Sequence, residues 1–279
     1  MPDIQLTPQL NIHYLDPNPS GSPTVLLLHG LGATCESWGL QMPALVAAGY
    51  RPLAADGRGF GRSTLPRDAH RIREMADDMA RLLAALGKTT DAAHGPALEP
   101  VHVVGISMGG VLALQLALDQ PQLVKKLTLV NTFASLRPEK LSAWAYFAMR
   151  LVMVHTLGLE AQARLVSRRL FPDPAQAELR QIFESQVIQA DPRGYRAAMR
   201  ALARFNVVKR LAEIRIPTLV ISGAEDTTVP LKNQQVLVER IPGARHVIIA
   251  GAGHAVTAQA AERFNQELLQ WLGDESAAR

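Results

Sequence analysis

The sequence predicts an α/β protein: a doubly wound, mostly parallel sheet with a helical cap inserted between two of its strands. First, predicted strands alternate with predicted helices along almost the whole chain, as in parallel βαβ units. Second, the run T-V-L-L-L at residues 24–28 is continuously apolar, as a strand covered on both faces requires. Third, residues 132–214 have helical periodicity and no convincing strand. In such a sheet, ligands bind at the carboxyl ends of the strands.

The order of the predicted elements divides the chain into a core and a cap. Strands are expected at residues 3–6, 10–15, 24–28, 52–55, 101–104, 126–130, 217–222 and 245–249, the first two as a hairpin. Helices are expected at residues 37–48, 72–86, 111–118 and 258–272. We therefore assign residues 1–131 and 215–279 to the core, and residues 132–214 to several cap helices over the carboxyl edge of the sheet. The polar stretch 88–100 is expected to be a surface insertion.

Composition narrows the class of protein. The chain has 279 residues, of which 48% are hydrophobic and 19% charged, values that fit a soluble globular enzyme. Its single cysteine, Cys35, excludes a disulfide within the chain. We find no secretory signal, no apolar run of membrane-spanning length and no clustered basic and aromatic residues. We therefore expect a cytoplasmic monomer or homodimer that binds neither membrane nor nucleic acid.

The positive charge is unevenly distributed. The whole chain carries +4, but residues 132–215 contain 14 Lys and Arg against 7 Asp and Glu, a local net charge of +7. Most of these cations are arginines spread along predicted helices. One interpretation is a solvated helical surface. The other is attraction of anionic substrates or surfaces.

The stretch V-H-V-V-G-I-S-M-G-G at residues 101–110 places a predicted strand, a tight turn and a helix around Ser107. This is the G-x-S-x-G nucleophile elbow in its expected setting. The turn strains the backbone at the serine, and a side chain at position 105 or 109 would crowd it. The hydroxyl is then held clear of the sheet at a helix N-terminus, where developing negative charge is favoured. We predict a serine nucleophile; the alternative is a glycine-rich turn with an inert serine.

A serine nucleophile needs a base, and the base needs a group that orients it. Among the downstream histidines, His155 falls in the predicted cap and His246 within a strand. His254 lies in the loop G-A-G-H after a strand and is free to reach the elbow, so we predict it as the base. The acid should follow an earlier strand, and the loop G-A-E-D offers Glu225 and Asp226. Since neighbouring side chains diverge, only one can face the histidine, and Asp226 is favoured.

The motif H-G-L-G after the third strand is expected to complete the site. A tetrahedral oxyanion needs two aimed backbone N–H groups. We assign them to Met108, which follows the nucleophile, and to Leu31, because its flanking glycines let the backbone approach the reacting carbon. His29 is interpreted as a buried residue that orders this loop by hydrogen bonds, with a second catalytic base as the alternative.

Two further groups of residues give weaker indications of function. The loop D-G-R-G-F-G-R-S at residues 56–63 is glycine-rich but lacks the G-K-[ST] ending of a nucleotide-binding loop. We interpret it as a structural turn held by Asp56 and Arg58. Trp38, Trp144 and Phe147 are candidates for the wall of an acyl pocket, and core packing is the alternative for the last two.

These motifs occur in the order, and with the spacing, of a known family. H-G-L-G, D-G-R-G-F-G-R-S, G-I-S-M-G-G, G-A-E-D-T-T-V-P and G-A-G-H together resemble those of α/β-hydrolase-fold serine hydrolases over nearly the whole chain. Within that family the chain is similar to small capped esterases, enol-lactonases, carbon–carbon hydrolases and perhydrolases. Serine at position 107 argues against epoxide hydrolases and haloalkane dehalogenases, which have aspartate at the elbow. The chain lacks the E-x-P pattern that often follows the catalytic histidine in the family.

The motifs and the resemblance lead to one expected function. We expect a carboxylic-ester hydrolase that acts through an acyl-enzyme on a small-molecule ester and requires no metal or cofactor. The alternatives are a carbon–carbon hydrolase or enol-lactonase with the same triad, and a hydrolase-fold receptor. A capped pocket favours short acyl chains, roughly two to six carbons long.

Overall fold

The computed structural model describes residues 2–67, 70–87, 99–136 and 141–275; for residues 141–144 it describes the backbone alone. The expected surface insertion therefore lies largely outside the described residues. The strands are β1 (Asp3–Thr7), β2 (Leu10–Leu15), β3 (Thr24–Leu28), β4 (Arg51–Ala55), β5 (Val101–Ile106), β6 (Val124–Val130), β7 (Thr218–Gly223) and β8 (Arg245–Ile249).

These strands form one eight-stranded sheet in the order β1-β2-β4-β3-β5-β6-β7-β8. β1 and β2 form the expected antiparallel hairpin, and β2 also pairs antiparallel with β4. The six strands from β4 to β8 in this order pair in parallel. Such connections need crossovers, which the helices supply. The predicted doubly wound, mostly parallel sheet is confirmed.

The helices are α1 (Met42–Ala47), α2 (Ile72–Leu86), α3 (Met108–Asp119), α4 (Leu141–Thr156), α5 (Gly158–Leu170), α6 (Ala177–Ile188), α7 (Pro192–Arg204), α8 (Leu231–Arg240), α9 (Val256–Gln259) and α10 (Ala261–Gly273). Short 3-10 turns lie at Cys35–Trp38, Pro121–Leu123, Pro174–Gln176 and Val208–Glu213. The segment between β6 and β7 contains α4 to α7 and, in its described part, no strand longer than the single bridge between Ser135 and Asn206. No helix in the described ranges combines the length and apolarity needed to cross a membrane.

Strand β3 shows how the core is divided. Leu26 and Leu28 belong to an apolar cluster that includes residues of α2 and α3, whereas Val25 and Leu27 belong to a second cluster with residues of α1 and α10. Because alternate residues of a strand point to opposite faces, the two clusters cover the two faces of the sheet. Both faces of β3 are therefore buried, which explains its continuous apolar run.

Two predicted helices are broken in the structure. The helix expected at 37–48 is a 3-10 turn at Cys35–Trp38 followed by α1, because Pro43 has no N–H and starts a new helix. The helix expected at 258–272 is divided at Ala260, whose φ of −136° and ψ of 48° lie outside the helical region. The hydrophobic periodicity continues across both breaks, so it did not reveal them.

The glycine-rich turn after β4 is structural, as predicted. Both carboxylate oxygens of Asp56 accept backbone N–H groups, from Cys35 at 2.7 Å and Arg62 at 2.9 Å. Arg58 binds both oxygens of Asp78 on α2, at 2.5 and 2.7 Å, and both side chains are buried. A buried charge needs a partner of this quality, so the pair fixes the turn against the helix.

Candidate active site

Ser107 follows β5 directly and has a strained backbone. Its φ of 53° and ψ of −114° are unusual for a residue with a side chain. Its N–H donates to the carbonyl of Val130 at 2.9 Å, and its carbonyl accepts from the hydroxyl of Thr132 at 2.7 Å and from the N–H of Val111 at 3.1 Å. The neighbouring strand and the first turn of α3 together hold this conformation.

The flanking glycines are explained by close backbone contacts. A Cβ on Gly105 would lie 2.2 Å from the carbonyl oxygen of Gly109, and a Cβ on Gly109 would lie 2.0 Å from that of Leu28. Neither contact can be relieved by moving a side chain, because both partners are backbone atoms. The G-x-S-x-G spacing is therefore a packing requirement of this turn.

His254 and Asp226 are brought together from the loops after β8 and β7. Nδ1 of the histidine lies 2.8 Å from Oδ2 of the aspartate, whose side chain is fully buried. The other carboxylate oxygen accepts the N–H groups of Thr228 at 2.8 Å and Val229 at 2.9 Å. Both oxygens are thus occupied, and the carboxylate can hold the imidazole in one orientation. Glu225, the other candidate acid, is exposed.

Asn131 links the two loops that carry this pair. Its backbone has φ of 43°, and its side-chain Oδ1 accepts the N–H of Gly223 at 2.8 Å. Its Nδ2 donates to the carbonyls of Gly253 at 2.9 Å and His254 at 2.8 Å. No sequence motif assigned a role to this residue. The available signal was a polar residue at the carboxyl end of β6, between two strands that carry site residues.

His29 orders the H-G-L-G loop, as predicted. Its Nε2 accepts the N–H of Gly57 at 2.9 Å, so its ring proton lies on Nδ1, which donates to the carbonyl of Gly30 at 2.8 Å. Burial lowers the pKa of His29, which favours the neutral ring that this pattern requires. Both ring nitrogens of His29 therefore form hydrogen bonds with the protein backbone.

The same hydrogen bonds orient the predicted oxyanion donor Leu31. The Gly30 carbonyl also accepts the N–H of Ala33 at 3.1 Å, so two donors fix that peptide. The N–H of Leu31 belongs to the same planar unit and points away from that carbonyl. A Cβ on Gly30 would lie 3.6 Å from Cβ of Ser107, which brings this loop against the serine. The second predicted donor, Met108, is the first residue of α3, where a backbone N–H has no acceptor within the helix.

Ser107 and His254 line one cavity of about 1120 Å³, together with Gly30 and Leu31. Much of its wall comes from the segment between β6 and β7. The lining residues from this segment are mainly apolar and include Phe133, Leu136, Phe147, Leu170, Phe171 and Met199. The arrangement combines a strained serine, an oriented imidazole and an apolar chamber for an organic group.

The three predicted pocket residues have different positions. Phe147 lines the cavity. The expectation for Trp38 is wrong: its ring is only 1% exposed, and it packs in the apolar cluster with α1 and α10. Its neighbours Ser37 and Gly39 line the cavity instead, because the 3-10 turn rotates the tryptophan inward. The side chain of Trp144 lies outside the described residues.

One group of possible metal ligands occurs in the described part of the chain. His13, Cys35 and Asp56 are buried, with ligand atoms within 4.8 Å of one another. The aspartate already accepts two backbone N–H groups, and burial raises the pKa of the Cys35 thiol, which disfavours the thiolate that binds metals. None of the three lines the cavity.

Comparison with known proteins identifies relatives over most of the chain. The family described as alpha/beta hydrolase fold matches residues 23–260. A protein of Variovorax paradoxus (strain S110) named "Putative carbamate hydrolase RutD" is 34% identical over 272 residues, which cover 95% of this chain and 97% of that protein. A protein of the same name from Caulobacter sp. (strain K31) is also 34% identical, over 92% of this chain and 93% of its own.

Solved structures agree with this relationship. A hydrolase from Pseudomonas aeruginosa superposes with a TM-score of 0.83 at 27% identity, covering 95% of both chains. A thermophilic esterase from Thermogutta terrifontis superposes with a TM-score of 0.82 at 26% identity, covering 97% of this chain and 95% of that one. An enol-lactonase from Burkholderia xenovorans LB400 reaches a TM-score of 0.86, but at 24% identity it shows the fold alone.

Proposed function

The chain belongs to the α/β-hydrolase fold family and is a hydrolase, and we propose that it cleaves small carboxylic esters with a Ser107-His254-Asp226 triad. One observation carries the proposal. A buried carboxylate holds His254 at 2.8 Å, and this histidine lines the same cavity as a serine with strained backbone. Strain and a buried, fully bonded acid both cost folding energy, and catalysis explains why they occur together.

The proposed reaction has two halves. The hydroxyl of Ser107 attacks the ester carbonyl while Nε2 of His254 takes its proton, and Asp226 stabilises the imidazolium through Nδ1. The N–H groups of Leu31 and Met108 bind the oxyanion of the tetrahedral intermediate. His254 then gives the proton to the leaving alcohol. Water, activated by the same histidine, hydrolyses the acyl-enzyme and regenerates the serine.

We further propose that residues 132–214 act as a cap on a core of residues 1–131 and 215–279. In support, α4 to α7 interrupt the sheet between β6 and β7 and contribute much of the cavity wall. The cavity is about 1120 Å³, slightly larger than the roughly 300–1,000 Å³ of pockets that bind drug-sized ligands. This volume has room for the acyl and alcohol groups together, so acyl chains longer than six carbons should also be accepted.

The decisive experiment is active-site labelling combined with kinetics. Ser107→Ala should lower kcat on p-nitrophenyl butyrate by about 10⁴-fold or more and abolish labelling by a serine-directed phosphonate. Ser37→Ala removes another hydroxyl from the same cavity and should still be labelled at Ser107. Labelling of another serine, or normal turnover by the Ser107→Ala protein, would disprove the proposal.

The name of the relatives makes carbamates a second candidate substrate class, at the same triad. Attack on a carbamate ester gives a carbamoyl-serine that hydrolyses slowly because the nitrogen lone pair stabilises its carbonyl. The large apolar wall favours esters over a very small carbamate. Steady turnover of p-nitrophenyl esters, with a burst and stall on p-nitrophenyl N-alkylcarbamates, is the expected result. Steady turnover of the carbamates would instead make carbamates the preferred substrate class. A preference for an enol-lactone would favour an enol-lactonase, and a preference for a dienoate diketone would favour a carbon–carbon hydrolase.

A further inference from the structure

Arg150 on α4 lines the same cavity as the proposed nucleophile and is half-buried. Its Nη2 donates to the hydroxyl of Tyr195 at 3.1 Å. The amide of Gln162 also lies beside it. Because the arginine and the tyrosine present donors there, the amide oxygen faces them, accepting from Nη2 at 2.6 Å, from Nε at 2.7 Å and from the tyrosine at 3.1 Å. Both supporting side chains are fully buried.

The two side chains that hold Arg150 in place, Tyr195 and Gln162, are both uncharged. Tyr195 accepts from the guanidinium and donates to Gln162, so the donors and acceptors of the three groups match without a carboxylate. Within the described ranges, no Asp or Glu lies within ion-pair distance of Arg150, and no acceptor bonds its Nη1. A cation at an apolar wall normally has an anionic partner, since desolvating the charge is costly. The two acidic residues that line the cavity, Glu36 and Glu178, are exposed.

Tyr195 also connects the guanidinium to the loop after β3. A Cβ on Gly32 would lie 3.8 Å from the hydroxyl of Tyr195, the group to which Arg150 donates. Gly32 follows Leu31, the proposed oxyanion donor. Tyr195 therefore packs beside the oxyanion loop and holds Arg150 with the same hydroxyl. A second cation, the exposed Arg169, lies 5.0 Å from the centre of the Tyr146 ring, and Arg150 lies 5.8 Å from the same centre.

We infer that the cavity takes esters whose acyl group ends in a carboxylate, with Arg150 binding that carboxylate through Nη1 while Ser107 attacks the ester carbonyl. This inference rests on the proposed function and names its substrate class. A guanidinium held in place by two buried groups is pre-organised for a planar carboxylate and loses little rotamer freedom on binding. Arg169, closer to solvent, would attract the same anions to the opening.

The test compares two substrates that differ in one charge. Mono-p-nitrophenyl adipate ends in a carboxylate, and methyl p-nitrophenyl adipate carries the same chain with that carboxylate esterified. We expect the wild-type protein to prefer the anionic substrate in kcat/KM by about 10-fold or more, the magnitude of one charge-assisted hydrogen bond. Arg150→Gln should lower the anionic-to-neutral ratio about 10- to 100-fold, mainly through KM, and Arg150→Lys should lower it less.

Arg164→Gln is the matched control. Arg164 lies on α5 in the same basic segment, is exposed, and pairs at 3.9 Å with Glu160. Its replacement removes the same charge and should leave the ratio unchanged, which separates local binding from a general effect of charge. An equal ratio for wild type and Arg150→Gln, with the neutral ester still cleaved through Ser107, would overturn the inference and leave the proposed function intact.

A binding measurement keeps the inference testable without turnover. Glutarate should raise the Tm of the wild-type and Ser107→Ala proteins and have no effect on Arg150→Gln. If neither ester is cleaved but glutarate binds in this Arg150-dependent way, the carboxylate site stands and the proposed reaction fails. If glutarate binds equally to Arg150→Gln, the carboxylate site is wrong.

Discussion

Two histidines follow strands at the carboxyl edge of the sheet, each beside glycines, yet their rings have different surroundings. His29, after β3, uses both ring nitrogens, with the Gly30 carbonyl and the Gly57 N–H. His254, after β8, lines the cavity, and in the described part of the chain only its Nδ1 is bonded, to Asp226. A ring can act as a base only where one nitrogen can reach the substrate. Hydrogen bonding, and not the glycine-rich context, distinguishes the two.

Burial also has a different consequence at each of these two histidines. For His29, burial lowers the pKa and favours a neutral ring that holds a loop. For His254, the neighbouring buried group is a carboxylate whose second oxygen is held by two backbone N–H groups. The first arrangement holds a loop in place, and the second holds an imidazole ring in one orientation. The predictions below test this division of roles.

The largest expected effect is on the acid partner of His254. Asp226→Asn should lower kcat about 10⁴-fold with little change in KM. The amide oxygen can still accept from Thr228 and Val229, which leaves the NH₂ facing Nδ1. The imidazole proton then moves to Nε2, where it blocks removal of the serine proton.

Glu225→Gln is the control for this prediction. Glu225 is adjacent in sequence and exposed, so its variant should change kcat by less than about threefold. The opposite pattern, with a large loss only in Glu225→Gln, would transfer the role of the acid to that residue.

The next largest effect concerns His29. His29→Ala leaves the Gly57 N–H and the Gly30 carbonyl without their partner, so we expect a lower Tm and a 10²- to 10³-fold lower kcat, the cost of misplacing one oxyanion donor. His29→Gln, which can both donate and accept, should recover part of both. Recovery rules out a proton-transfer role, because an amide cannot act as a base. A loss in both variants as large as that of His254→Ala, with unchanged Tm, would mean that His29 is the base.

A third prediction concerns pH and a buried histidine far from the reaction. His102 on β5 is 1% exposed, and burial, reinforced by Lys125 and Lys126, lowers its pKa to about 4. The folded state therefore binds its proton only near pH 4, whereas the unfolded state binds it near pH 6.5. Stability from this residue is complete above pH 6.5 and is lost as pH falls toward 4, by up to about 3 kcal/mol.

His102→Phe should flatten this acid dependence. The variant keeps a ring against Tyr50, whose centroid lies 6.0 Å away, and cannot titrate. The measurement is the free energy of unfolding in urea at pH 7 and pH 4.5. His155→Gln, at an exposed position on α4, should retain the wild-type slope. An unchanged slope in His102→Phe would assign the acid dependence to other groups, His29 first among them.

Most of the fold, and the different roles of His29 and His254, could be predicted from the sequence, because they follow from local patterns. Apolar runs fixed the strands, and the predicted bounds of α2 agree with Ile72–Leu86. The buried role of His29 followed from its place before glycines at the end of a strand. The breaks before Met42 and at Ala260 did not appear, because hydrophobic periodicity reports the buried face and not the continuity of the helix.

The support around the site was not predictable, because it joins residues far apart in the chain. Asn131 bonds Gly253, and Arg150 depends on Gln162 and Tyr195, contacts that no local spacing encodes. Trp38 was assigned to the wrong environment for a related reason. An aromatic residue in a short turn fits either the core or the cavity, and only the packing of α1 and α10 determines which.

The smallest effect is expected at Gln259, which joins the His254 loop to the helix over the cavity. Its Oε1 accepts the N–H of Gly253 at 2.9 Å, and its Nε2 donates to the carbonyl of Leu170, the last residue of α5, at 3.1 Å. Gln259→Leu removes both bonds at similar volume, so the loop gains freedom without losing its bond to Asp226. We expect kcat to fall about 10-fold, each neutral bond being worth roughly 1 kcal/mol.

Gln259→Glu keeps the acceptor and loses the donor, so it separates the two contacts. If the bond to Gly253 matters for positioning the base, the glutamate variant should retain most of kcat; if α5 positions the loop, it should be as slow as the leucine variant. Unchanged kcat in both would show that Asp226 and Asn131 alone are sufficient to place His254.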